Sequence, residues 1–232
     1  MKKHRLRIIA GERRGWKIEA PEGADITRPI SDRIKENMFN ILQGEVPGAT
    51  VLDLFAGTGS IGLEALSRGA RWVTFVEQHR EIVELLRRNI EKLGYEGNSR
   101  VIPGSALRPR PDFVRRRLPV QVEPRGGAPA EEAPASAPAN SGELVFDLIF
   151  ADPPYRMVKD ELTRAGIGES LARLRELGAV ATDAKIVLRR EADAPAPEDW
   201  PGFALVESRR YGSMVLDFLR PAPAAVGESG QV

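Results

Sequence analysis

The sequence predicts an α/β protein built on an open, mostly parallel sheet covered by helices on both faces. Three observations carry this. From residue 50 onward, short apolar strand patterns alternate with helical ones. A glycine-rich turn, GTGSIG at 57–62, joins the first of these strands to the first of these helices. The chain then finishes on two strand patterns joined by a tight turn, an antiparallel hairpin that a dinucleotide-binding sheet does not require.

Taken in order, RLRIIAG, ERRG and WKIEAP read as strand, turn and strand, with Gly11 and Gly15 bracketing the turn. In ITRPISDRIKENMFNIL, Ile34, Met38, Ile41 and Leu42 fall at helical spacing. Ser31 or Asp32 can cap the start of that helix and Gly44 can end it. Residues 1–44 therefore read as a basic hairpin-and-helix appendage to a main domain over 45–220. TVLDLF is a strand of the fully buried type. The glycine turn and the helix SIGLEALSRG follow, then the strand RWVTFVE, ending at Glu77. EIVELLRRNIEKLG sets Ile82, Leu86, Ile90 and Leu93 on one face, with Gly94 as C-cap, and RVIPGS supplies a third strand. Residues 121–142 are dominated by Ala, Pro and Gly, a composition that buries too little apolar surface to offset its ordering entropy. They are expected to be a disordered insertion, and 221–232 a disordered tail. LVFDLIF resumes as a strand, followed by a helical region over 160–178, the strand AKIVLRR and the hairpin FALVESRRYGSMVLDFL, which turns at Tyr211-Gly212.

Composition narrows the chemistry. Of 232 residues, 42% are hydrophobic and 29% charged, and no apolar run is long enough to span a bilayer. Charge interrupts the apolar part of the N-terminus too early for a signal peptide, so a cytoplasmic protein is expected. With no cysteine, thiolate metal sites and cysteine nucleophiles are excluded, and with only His4 and His79 no metal centre is expected. Net charge is +1, but basic residues cluster. Lys2, Lys3, Arg5, Arg7, Arg13, Arg14 and Lys17 face a single acid, Glu12, within residues 1–17, and Arg108, Arg110, Arg115, Arg116 and Arg117 form a second group. Such patches either solvate an exposed face or attract a polyanion.

The glycine loop lets the backbone turn sharply and approach a ligand closely, at a helix start that exposes free N–H groups. Glu77, at the end of the next strand, can accept hydrogen bonds from ribose hydroxyls. Both features suit NAD and S-adenosylmethionine equally. Two further stretches favour the second. Asp53 stands four residues before Gly57 in DLFAGTG. Asp152-Pro153-Pro154-Tyr155 ends an apolar strand where open α/β sheets bind ligands. The exocyclic amine of a nucleobase is a poor nucleophile, because its lone pair is delocalised into the ring. The Asp152 side chain and the Pro153 carbonyl, held by stiff prolines, can accept its two N–H bonds, and Tyr155 can stack an extruded base. Methylation at pyrimidine C5 normally needs a thiolate, which this chain lacks, so nitrogen is the better target.

RIIAG (7–11), TRPISDRIKENMFNIL (27–42), DLFAGTGSIGLEALSRGA (53–70), FVEQ (75–78), DPPY (152–155) and YGS (211–213) occur in an order that resembles the bacterial enzymes methylating guanine N2 in small-subunit (16S) ribosomal RNA. The resemblance covers about residues 5–220 apart from the Pro/Ala insertion. It implies a Rossmann-like class I methyltransferase fold with a seven-stranded sheet, S-adenosylmethionine as cofactor, and a monomer acting on ribosomal RNA, the small subunit or its assembly intermediate. Carried over by position, it places Asp53 at the amino-acid end of the cofactor and Glu77 at its ribose. Phe55, Ala56, Gly57, Gly59, Gln78, Ser105 and Ala106 complete the lining. Asp152, Pro153, Pro154 and Tyr155 present the amine, and Arg28 and Arg33 fall near the active-site mouth to position RNA or a loop; Arg7, Arg13 and Arg14 of the basic hairpin, with the Arg108–Arg117 group, are expected to hold RNA phosphates. Ser105 departs from the Asp or Asn usual at that strand end, and the insertion is a second departure. Three alternatives stand beside this one. A DNA adenine-N6 or cytosine-N4 methyltransferase shares DPPY but would need sequence-reading elements. A non-catalytic RNA-binding or assembly protein could retain the fold. An NAD-dependent oxidoreductase leaves DPPY and the terminal hairpin without a purpose.

Overall fold

The computed structural model describes residues 6–21, 30–114, 144–194 and 200–223. Twelve regular elements follow in chain order: α1 (Asp32–Ile41), β1 (Thr50–Leu54), α2 (Ser60–Ser67), β2 (Trp72–Glu77), α3 (Arg80–Leu93), β3 (Ser99–Pro103), β4 (Phe146–Ala151), α4 (Tyr155–Lys159), α5 (Glu161–Glu176), β5 (Val180–Glu191), β6 (Phe203–Tyr211) and β7 (Met214–Pro221). The strands form one sheet in the order β3-β2-β1-β4-β5-β7-β6. The first five pair in parallel, whereas β7 runs antiparallel to both β5 and β6. The seven strands and the antiparallel closing hairpin are those the resemblance implies. Among the described residues, no helix is long and apolar enough to cross a membrane. The proposed insertion at 121–142, the arginines at 115–117 and most of the tail lie outside the described residues.

The sheet is buried on both faces. Every residue of β1 and β2 is buried, as a continuous apolar run requires when helices cover both sides. One core holds Val51, Val73, Phe75, Leu148 and Phe150 with α2, α3 and the N-terminal segment, which contributes Leu6, Ile8, Ile18, Met38 and Phe39. The other face packs Leu52, Ile149 and Ile186 against Phe113 and α5. Residues 6–44 thus share a core with the sheet. Gly62 permits a close contact between α2 and β2: a Cβ there would sit 2.3 Å from the Phe75 ring.

The opening hairpin is less regular than its pattern predicts. Ile8 N–H donates to Trp16 O and Ile18 N–H to Leu6 O, but the strands reduce to a single bridge, Arg7 with Lys17. The reason is a competing partner. Ile9 and Ala10 N–H groups donate to the Glu64 carboxylate and Glu12 N–H to Ser67 O, so the turn side of the hairpin bonds to α2. Helix α1 starts at Ser31, whose Oγ accepts from Ile34 N–H, and is capped at Leu42, two residues before Gly44. Helix α4 has no counterpart in the sequence reading. Pro153 and Pro154 end the strand and stiffen the turn, and proline also suits the approach to a helix, where no N–H is needed.

Candidate active site

Strand order places the two sequence motifs side by side. β1 lies between β2 and β4, so successive strands depart from it in opposite directions, and a crevice opens at the carboxyl ends of β1 and β4. The glycine loop leaves β1 and DPPY leaves β4. Leu54 is in register with Ala151, and the next residue, Asp152, donates its N–H to Leu54 O at 3.4 Å.

The loop is held from several directions. Phe55 has φ +60°, a conformation that a bulky residue adopts only when its surroundings impose it. Gly57 and Gly59 also have positive φ, and Gly59 is the N-cap of α2. Ala56 N–H donates to Val76 O. The Glu77 carboxylate, at the end of β2, accepts from Gly57 N–H at 3.0 Å through Oε2 and from His79 N–H at 2.8 Å through Oε1. Each oxygen keeps a second lone pair, so Glu77 can brace the loop and still accept from a ligand hydroxyl. Gln78 is exposed, with its amide 3.3 Å from His79 Nε2. Ser105 Oγ accepts from Leu107 N–H at 3.3 Å, and Ala106 is buried with its carbonyl bound to Ser170 Oγ at 2.6 Å.

Asp53 is 1% exposed. Its Oδ2 accepts from Gly62 N–H at 2.9 Å, whereas Oδ1 is buried with no partner. Burial pushes the carboxyl up to about 8; the Gly62 N–H opposes that rise, and the charges of Asp152 and Glu77 add to it. An orphaned buried carboxylate oxygen beside a positive-φ loop is the acceptor an ammonium group would complete. The residues present therefore fit S-adenosylmethionine, whose amino-acid end carries such a group.

Of the remaining residues picked from sequence, Asp152 is partly buried and ion-paired to Arg189 of β5. Pro153 is buried and Pro154 half-buried. Tyr155 opens α4, and its ring lies outside the described residues, as does Arg28. The arginines of the N-terminal segment separate into two groups. Lys35 Nζ donates to Arg7 O and to Ser60 O and Oγ, which brings Arg7 and the first turns of α1, including exposed Arg33, beside the start of α2 at the loop end of the sheet. Arg7 itself pairs with Asp32 at 2.9 Å. Arg13 lies at the opposite end. Its N–H reaches Ser67 Oγ, its Nε donates to Leu93 O at the last turn of α3, and its guanidinium lies over Trp16 and Tyr95. Arg14 follows it there, exposed.

Three residues escaped the sequence reading. Arg189 was absorbed into a strand pattern, though two adjacent arginines inside an apolar strand were a visible signal. Lys35 and Glu64, both essentially unexposed, pair at 3.4 Å and tie α1 to α2. Burial lowers the Lys35 pKa, and Glu64 opposes that fall.

Comparison with known proteins identifies the family and the fold. The family model described as Conserved hypothetical protein 95 matches residues 6–116 and 130–220. Ribosomal RNA small subunit methyltransferase D of Escherichia coli (strain K12) is 31% identical over 192 residues, covering 83% of this chain and 78% of that protein. The protein of the same name from Haemophilus influenzae is 32% identical over 201 residues, covering 85% and 86%. The chain belongs to this family. The solved structure "Putative methyltransferase yhhF from Escherichia coli" superposes with TM-score 0.68 at 27% identity, covering 94% of this chain and 98% of that one. The sheet is accordingly the Rossmann-like one of class I methyltransferases.

Proposed function

We propose that the protein is an S-adenosylmethionine-dependent methyltransferase acting on the exocyclic N2 of a guanine in small-subunit ribosomal RNA. The observation that carries the proposal is the adjacency of the glycine loop and Asp152 across β1 and β4, with an unpartnered Asp53 oxygen on the loop side. The names of the family relatives support ribosomal RNA as the substrate.

The cofactor supplies a sulfonium-bound methyl group. Asp53 Oδ1 binds its ammonium group, Glu77 its ribose, and Phe55, Ala56, Gly57, Gly59, Gln78, Ser105 and Ala106 line the pocket. Asp152 and the Pro153 carbonyl accept the two N–H bonds of the target amine, which orients the nitrogen lone pair and favours a more pyramidal nitrogen. Transfer would be direct: as the new N–C bond formed, the S–C bond of the sulfonium would break and leave a neutral thioether, and the nitrogen's surplus proton would pass to Asp152 and on to water. Rate comes from positioning and fixed polar groups, without a covalent enzyme intermediate. Tyr155 supplies a stacking face for the extruded base. Arg7 and Arg33, at the loop end of the sheet, contact RNA phosphates, whereas Arg13 lies at the far end, where its Nε donates to Leu93 O.

The test is to incubate the protein with cofactor and unmodified small subunits and to analyse the nucleosides by mass spectrometry. The proposal expects N2-methylguanosine from the ribosomal RNA. N6-methyladenosine alone would overturn the base assignment, and transfer to DNA but not RNA would overturn the substrate class.

A further inference from the structure

Two consecutive arginines near the end of β5, Arg189 and Arg190, are each 8% exposed. Successive strand residues face opposite sides of the sheet, so their guanidinium groups enter different surroundings. Arg190 joins a closed structural cluster. Its Nε donates to Asp217 Oδ2 at 2.5 Å and its Nη1 to Ala194 O at 2.9 Å, while Ser208 Oγ donates to Asp217 Oδ1. Arg189 is placed by register, since Leu188 lies beside Ala151 and Arg189 therefore beside Asp152. Its Nε donates to Asp152 Oδ1.

A guanidinium stays charged at any physiological pH, and removing it from water is costly unless it is paired. Arg190 meets that requirement inside the sheet's own packing. Arg189 meets it at the mouth of the crevice, with the acid of DPPY. Asp152 also faces like charge, because its field and that of Glu77 both reach Asp53. Arg189 is the cation that offsets this crowding on the β4–β5 side. A carboxylate clamped through one oxygen loses rotamer freedom, so its other oxygen keeps a fixed direction in which to accept an N–H bond.

We propose that Arg189 is a positioning residue for methyl transfer: it grips Asp152 through Oδ1 and so fixes the carboxylate's direction toward the target amine. This rests on the reading of Asp152 given under the proposed function.

The experiment compares wild type with Arg189→Met, Arg189→Lys, Asp152→Asn and the double variant Arg189→Met/Asp152→Asn. It reads kcat and KM on small subunits, cofactor affinity by calorimetry, and the thermal midpoint. Arg189→Met is expected to lower kcat by about tenfold to a hundredfold, the scale of a misplaced catalytic group. KM and cofactor affinity should stay within about threefold, since neither depends on the carboxylate's direction. Arg189→Lys, which keeps the charge but not the planar fork, should recover part of the loss. The double variant should be no slower than Asp152→Asn alone, because both changes act through one group. Wild-type kcat in Arg189→Met would overturn the proposal. So would losses that multiply in the double variant while cofactor affinity and thermal midpoint fall together. Should Arg189→Met fail to fold, Arg189→Lys combined with Asp152→Asn decides by the same rule. A wild-type protein that transfers no methyl group would instead remove the proposed function, and this inference with it.

Discussion

Two buried carboxylates stand on either side of the glycine loop, and they are treated in opposite ways. Glu64, fully buried, receives Ile9 N–H, Ala10 N–H and Arg68 Nε, and lies 3.4 Å from Lys35 Nζ. Asp53, 1% exposed, receives one backbone N–H and leaves an oxygen without a partner. Glu64 joins three parts of the chain and is satisfied by them. Asp53 is held in an unsatisfied state by the strand beneath it and by Gly62. Folding alone would favour a second donor or an apolar side chain at that position. Under the proposed function, that open oxygen is the place kept for the cofactor's ammonium group.

The sharpest way to break the comparison lies at the mouth. Asp152→Ala is expected to lower methyl transfer by roughly 10²–10³-fold, the usual cost of deleting one preorganised polar partner. Cofactor affinity should survive; single-turnover transfer and calorimetry on the same sample check both. Near wild-type turnover would remove Asp152 from its role.

At the satisfied partner the expected effect is of similar size. Glu64→Gln leaves Lys35 buried without its counter-charge, and breaking such a pair costs about 3–5 kcal/mol. The midpoint of denaturant unfolding should drop accordingly. A shift below about 1 kcal/mol would show that the knot is not structural.

Asp53→Asn sharpens the contrast through pH. The unfolded carboxyl titrates near 3.8 and the folded one at about 8, so between those values the folded state binds the extra proton. Wild-type stability therefore carries a penalty that is absent below pH 4 and grows as pH rises toward 8. The variant lacks it. Its stability relative to wild type should climb by up to about 1.4 kcal/mol per pH unit across that window, as thermal or denaturant unfolding at pH 4, 6 and 8 would show. A difference that stays constant with pH would contradict the burial of a charge there.

The smallest effect is expected at the α1 cap. Ser31→Ala removes the acceptor for Ile34 N–H, a 3.4 Å contact, and should cost about 0.5–1 kcal/mol in the same unfolding assay.

The strand–helix alternation, the glycine turn and the closing hairpin were legible in sequence because each rests on local rules: apolar period, a forced positive φ, a tight turn. The meeting of DLFAGTG with DPPY was legible only as two strand ends on the same edge. Their adjacency depends on β4 pairing with β1 across almost a hundred residues. The ladder lost from the hairpin, the Lys35–Glu64 pair and the Arg189 grip on Asp152 were not legible, because each joins elements whose relative placement no local pattern encodes. Arg13 and Arg14 illustrate the same limit. Sequence grouped them with Arg7 by charge, and the hairpin then carries them to the opposite end of the sheet.

The most direct test is calorimetric titration of S-adenosylmethionine into wild type and Asp53→Asn at pH 7. One-to-one binding by wild type, weakened at least about tenfold in a variant that is no less stable, is the predicted result, since an ammonium contact to a buried carboxylate is worth about 1.5–3 kcal/mol. Equal affinity in the two proteins would mean that the open oxygen of Asp53 is not kept for a ligand, and the reading of the loop end as a cofactor site would fail.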